Sequence, residues 1–92
     1  MIRSFKDRRT SGFAAGERVK QFDAFVRQAQ RRLRILADAS RIEDLMSLPS
    51  NRFEALRGDR RGQFSIRINE RWRICFRFED GDAHDVEIVD YH

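Results

Sequence analysis

Arg67, Arg73, Tyr91 and His92 are the residues of this 92-residue sequence best suited to joint chemistry. Guanidinium groups stabilise negative charge on a phosphate. An imidazole exchanges a proton near neutral pH, and a phenol stacks on a base or donates a hydrogen bond. Together they suit cleavage of a phosphodiester by the neighbouring ribose 2′-hydroxyl. That reaction needs a base, charge stabilisation at phosphorus and an acid for the leaving oxygen. Glu54 is a carboxylate available as base. Arg57 opens the loop Arg57-Gly58-Asp59-Arg60-Arg61-Gly62, where Arg60 and Arg61 add phosphate-binding charge to that of Arg67. The loop lacks the spacing and following helix of a P-loop, so its glycines are read as turn formers.

For these groups to meet, the second half of the chain must fold as a meander. Phe64, Ile66 and Ile68 alternate with Ser65, Arg67 and Asn69. Trp72, Ile74, Phe76 and Phe78 alternate with Arg71, Arg73, Cys75 and Arg77, and Val86 and Ile88 alternate with Glu87, Val89 and Tyr91. A period of two with one apolar side marks antiparallel strands with one face on a core. Opposed residues share a face. The simplest register therefore sets Ile68 against Trp72, Ile66 against Ile74 and Phe64 against Phe76, leaving Asn69-Glu70-Arg71 as a three-residue turn. Arg67 then stands opposite Arg73 on the other face, a like-charge pair that is tolerable when exposed and useful around an anion. Setting Phe76 against Val86 and Ile74 against Ile88 makes residues 79–83 the acidic turn, with His84 read as part of it. It also places Val89 beside Arg73 and Tyr91 beside Arg71. A slip of two residues would keep the faces and change the neighbours.

Ahead of the meander, residues 2–5 are read as a first strand and residues 8–15 as a short helix stopped by Gly16. The main helix is predicted over residues 19–39. There Phe22, Phe25, Val26, Ala29, Leu33 and Leu36 share one stripe, and Arg27, Gln28, Arg31 and Arg34 lie off it. Ser40-Arg41-Ile42-Glu43 fits the capping box of a third helix. Residues 47–51, around the only proline, read as a turn and residues 52–56 as a further short strand. The order predicts a single α+β domain over residues 1–92, with an N-terminal strand and two to three helices packed on one face of a mostly antiparallel four- to five-stranded sheet.

The formal net charge of +4 rests almost entirely on arginine, with lysine only at positions 6 and 20. A small basic domain of this kind points to a nucleic-acid or an acidic protein partner. Cys75 is the only cysteine, so an internal disulfide and a thiolate metal cluster are excluded. It is read as a small, partly buried filler. No metal-ligand or Ser/His/Asp spacing stands out. No apolar run is long enough for a membrane span, and the N-terminal residues lack the apolar core of a signal peptide. The expectation is a cytoplasmic chain without a metal, cofactor or membrane partner.

The order of elements, with LRGDRRGQFSIRINERWRICFRF followed by VEIVDYH, resembles the HigB branch of the RelE/ParE toxin superfamily. The likeness runs along nearly the whole chain and is most specific from Leu56 to Phe78 and at Asp90-Tyr91-His92. It implies a RelE-like fold and the toxin of a type II toxin–antitoxin pair, a metal-independent endoribonuclease that cuts mRNA on the ribosome. The implied partners are a helix-turn-helix antitoxin (HigA-like), the ribosome and mRNA, with operator DNA met only through the antitoxin complex. The family's cleavage residues fall on Arg57, Arg73, Tyr91 and His92. Members can carry His where this chain has Glu54 and Lys where it has Arg57. Arginine does not deprotonate in proteins, so either Glu54 takes the base role or Arg57 is purely electrostatic. The expectation is a slower nuclease or one that relies on other residues for proton transfer, with the assignment of base and acid left open. The alternatives are a non-catalytic toxin on the same fold and a basic module that binds nucleic acid without cutting it.

Overall fold

The alternating half of the chain forms the sheet. In the computed structural model, which describes residues 1–90, four strands pair antiparallel in sequence order. They are β1 (Glu54–Ala55), β2 (Phe64–Arg67), β3 (Trp72–Glu79) and β4 (Asp82–Asp90). β2 and β3 keep the predicted register: Phe64 faces Phe76, Ile66 faces Ile74 and Arg67 faces Arg73. Their turn is closed by the Ile68 N–H on the Trp72 carbonyl at 2.9 Å. The Asn69 side chain accepts the N–H groups of Arg71 and Trp72 at 2.9 and 2.8 Å, the local bonding that favours Asn in turns. The strand expected over residues 52–56 shrinks to Glu54–Ala55. Arg52 is left-handed (φ 46°) at the end of a 3-10 turn, Pro49–Asn51, and cannot extend a ladder.

β4 departs from expectation at one point. Arg73 faces Val89 and Ile74 faces Ile88 as predicted, but the register then shifts and Arg77 faces His84. The extra residue sits at Asp85, which is left-handed (φ 53°), so Phe76 has no one-to-one partner in Val86. The physical reason is burial. Ala83 and Val86 are both fully buried, and residues three apart reach one face only across a bulge. The turn is consequently the two-residue Asp80-Gly81 rather than residues 79–83, and His84 lies in β4 rather than in the turn. Both turn residues have positive φ, 51° and 81°, as a tight hairpin of this hand requires. A Cβ at Gly81 would also stand 2.9 Å from the Ser40 carbonyl oxygen. Gly81→Ala is therefore expected to cost about 2 kcal/mol, seen as a lower urea midpoint at unchanged slope. An unaltered midpoint would show that this hairpin is not held against residue 40.

Residues 2–5 make two isolated parallel bridges, Ile2 with Ala83 and Phe5 with Val86, instead of a continuous strand. The bulge at Asp85 between those positions interrupts the ladder. The Arg3 N–H donates to the Ala83 carbonyl at 2.8 Å and the Lys6 N–H to the Val86 carbonyl at 3.0 Å. Further along, the buried Thr10 hydroxyl accepts the Ile88 N–H at 3.1 Å. The outer edge of β4 is thus covered by the start of the chain, which blunts an aggregation-prone edge.

Thr10 belongs to α1 (Arg8–Ala14), whose N-cap Asp7 accepts the Thr10 N–H at 2.7 Å. The helix predicted over residues 19–39 is split into a 3-10 segment, Lys20–Phe25, and α2 (Val26–Asp38). A 3-10 turn lines up residues three apart. Phe22 and Phe25 both reach Trp72, with ring centroids 5.6 and 5.1 Å away. α3 (Ile42–Met46) starts one residue later than the capping pattern suggests. Its capping carboxylate is Asp44 rather than Glu43, and it accepts the N–H groups of Ser40 and Arg41 at 3.0 and 3.1 Å. Phe22, Ala29, Leu33, Leu36 and Leu45 from the helical layer meet Ile66, Ile74, Phe76, Val86 and Ile88 of the sheet in one core. Among the described residues no helix is long and apolar enough to cross a membrane.

Candidate active site

The sheet face turned away from the core carries two polar rows. Glu54 faces Ser65, Ser65 faces Cys75, and Cys75 faces Glu87. The next row sets Arg67 against Arg73 and Arg73 against Val89. Opposed residues share a face, so the rows form one surface.

That surface is not uniformly wet. Ser65 and Cys75 are fully buried, although they stand on the side away from the helices. Arg60, in the 3-10 turn Gly58–Arg60, reaches Glu87 at 3.1 Å and the Gln63 side chain at 3.1 Å, tying the loop to β4. Cys75 is more enclosed than its sequence position suggested. Burial pushes its thiol above the usual pKa, against the opposing pull of Arg60 and Arg73. It is an inert packing group in this state.

Arg67 and Arg73 resolve their like charge by turning apart. The Arg73 Nε donates to Ser65 Oγ at 2.7 Å and its Nη2 to the Arg52 carbonyl at 2.5 Å, both away from the β2–β3 turn. The Arg67 Nε donates to the Asn69 carbonyl at 3.1 Å, toward that turn. The backbones are paired, but the guanidinium heads point in opposite directions along the strands. Positive charge is spread along the face, which suits an extended polyanion.

Glu54 and Arg57 line a shallow groove with Ala55 and Leu56 at the β1 edge, and both are exposed. Arg61 is exposed in the adjoining loop. The structure therefore brings Glu54, Arg60, Arg67 and Arg73 onto one face, with Arg57 and Arg61 on the loop at its rim. Tyr91 and His92, assigned to cleavage from the sequence, lie outside the described residues. The last described pair is Trp72 with Asp90. There the Arg71 Nη2 donates to Asp90 Oδ2 at 2.6 Å, which holds the Arg71 guanidinium above its ordinary pKa. Among the described residues no group of three or more His, Cys, Asp or Glu could hold a metal ion.

Sequence reasoning missed three contributors, Ser65, Glu87 and the Arg52 carbonyl. Strand parity puts Ser65 and Glu87 on the arginine face. Nothing local says that one is buried or that the other meets Arg60 across 27 positions.

Comparison with known proteins adds four findings. A family model described as the RelE-like toxin of type II toxin–antitoxin system HigB matches residues 3–92. "Endoribonuclease HigB" of Proteus vulgaris is 32% identical over 97 aligned positions, covering 100% of both chains. "Toxin HigB-1" of Vibrio cholerae is 45% identical over 53 residues, a match spanning 58% of this chain and 56% of that protein. Among solved structures, the toxin–antitoxin complex YoeB–YefM of Staphylococcus aureus contains a similar chain, with a TM-score of 0.57 at 14% identity. That match covers 100% of this chain and 98% of the other. At such low identity the likeness concerns the fold, which is α+β with a RelE-like sheet.

Proposed function

This chain belongs to the HigB-like family of RelE-like toxins of type II toxin–antitoxin systems, and on that premise we propose that it is an endoribonuclease that cuts mRNA on the ribosome. A helix-turn-helix antitoxin of the HigA kind neutralises it, and operator DNA is engaged only through the complex with that antitoxin. The relative named as an endoribonuclease, similar along the whole chain, supports the activity. The neighbour solved together with its antitoxin supports the partner. The observation that carries the reading is the sheet face on which Arg67 opposes Arg73, with Glu54 and Arg57 at its edge.

Arg73 holds the scissile phosphate and takes up the charge that grows on it, while Arg67, whose head points the other way along the strands, holds a neighbouring phosphate. Glu54 removes the proton of the ribose 2′-hydroxyl. The 2′-oxygen then bonds to phosphorus as the bond to the 5′-oxygen breaks. His92 gives a proton to that leaving oxygen, and Tyr91 stacks on a flanking base. Arg57 acts only through its charge. Arg60 and Arg61 contact neighbouring phosphates of the RNA. No metal or other cofactor has a role in this scheme.

Purified protein is expected to cut a defined mRNA only when ribosomes are present, and its expression to arrest translation. Intact mRNA together with inhibited DNA supercoiling would instead identify a non-catalytic toxin. Salt-sensitive RNA binding without products or growth arrest would identify a binding module.

A further inference from the structure

We infer that Ser65, together with the backbone carbonyl of Arg52, clamps the Arg73 guanidinium, which makes Ser65 a positioning residue for phosphate stabilisation. The inference rests on the endoribonuclease reading above. Ser65 is fully buried on the face that strand parity gives to solvent. A buried hydroxyl needs a partner, and the one it has is the Arg73 Nε at 2.7 Å.

The second jaw is built independently. The Arg52 carbonyl accepts from the Arg73 Nη2 at 2.5 Å. Arg52 is left-handed (φ 46°) and closes the preceding turn with its N–H on the Pro49 carbonyl at 3.1 Å. Asn51, just before it, is fully buried. Its side chain accepts from the Arg32 Nη1 at 2.7 Å and donates to the Leu45 carbonyl at 3.0 Å. The jaw is thus anchored in the helical layer through α2 and the end of α3.

The two jaws occupy the Nε–H and Nη2 side of the guanidinium. Nη1 makes no hydrogen bond among the described residues, and it carries two of the five donors of the group. The clamp therefore presents a fixed pair of N–H donors. A free arginine loses much of its rotamer freedom when it is ordered. Here Ser65 and Arg52 do that ordering before RNA arrives, which is the condition for efficient electrostatic stabilisation. Lysine, a compact ammonium on a flexible stem, lacks the planar fork that fixes the direction of the remaining donors.

The test compares Ser65→Thr with Ser65→Val. The two replacements have the same shape and differ only in the hydroxyl, so packing effects cancel. With saturating ribosomes and mRNA, the Thr variant is expected to cut about tenfold faster than the Val variant, at similar KM. Ser65→Ala, which adds no bulk, is expected to match Val. In an Arg73→Ala background all three should be indistinguishable, because Ser65 then has nothing to position. Equal rates for Thr and Val in the native background would overturn the clamp. So would a Thr–Val difference that persists without Arg73. Wild-type cleavage by Arg73→Ala alone would instead sink the assignment of the site, a result distinct from both.

Discussion

Replacing Arg73 by alanine is expected to slow ribosome-dependent mRNA cleavage by about 10²–10³-fold, the usual loss on removing one donor aimed at developing charge. Arg73 is held on two sides, by Ser65 at 2.7 Å and by the Arg52 carbonyl at 2.5 Å. Arg73→Lys keeps the charge and loses the fork, and an intermediate loss of about tenfold is expected. The fold should survive. The alanine variant leaves the Ser65 hydroxyl without its donor, a cost of about 1 kcal/mol that urea unfolding would register. Removing Tyr91 and His92 is expected to abolish cleavage, since the proposed scheme then lacks its acid and its stacking ring. A variant of either kind that cut mRNA at the wild-type rate would place the chemistry elsewhere.

Phe22→Ala is expected to cost about 3–5 kcal/mol in folding stability, the range for an aromatic ring removed from a close-packed core. Phe22 is fully buried, and its ring meets those of Phe13, Phe25 and Trp72 at centroid distances of 5.2, 5.7 and 5.6 Å. The Arg9 guanidinium lies 5.2 Å from the same ring. A domain of this size has roughly 5–15 kcal/mol in all, so the variant would stand near its unfolding threshold. Trp72 is the only tryptophan of the chain. Its emission should shift to the red as the cavity admits solvent, alongside a fall in the urea midpoint. Trp72 also immediately precedes Arg73 in β3. Cleavage by the folded fraction should therefore fall as well, whereas a stable variant with unchanged emission would mean that Phe22 is not the hub of the aromatic cluster.

What the sequence disclosed follows from where period and parity are decisive. Ile66 against Ile74 and Arg67 against Arg73 were legible because a three-residue turn between two alternating runs leaves little choice of register. The split near Phe25 was not, because Phe22 and Phe25 are three apart and that spacing fits a 3-10 turn as well as an α-helix. The bulge at Asp85 was masked by clean alternation from Val86 onward. Its trace is the spacing of Ala83 from Val86, which makes sense only once both are known to be buried. The clamp on Arg73 was hidden for a different reason. It joins β2 and β3 to Arg52, a residue that precedes both strands and whose carbonyl has no signature in the sequence. Charge and strand face could be read, but the direction of each guanidinium could not.

The pairing of residues 1–6 with β4 also sets a timetable for folding. Ser4 bonds to Asp85, Arg3 to Asp82 and Thr10 to Ile88, contacts that span 78 to 81 positions of the chain. Such distant closures are entropically slow. During synthesis residues 1–6 must wait, unsatisfied, until residues 82–88 have cleared the exit tunnel. The outer edge of β4 therefore stays open until these distant segments meet, which makes its closure a late step of folding.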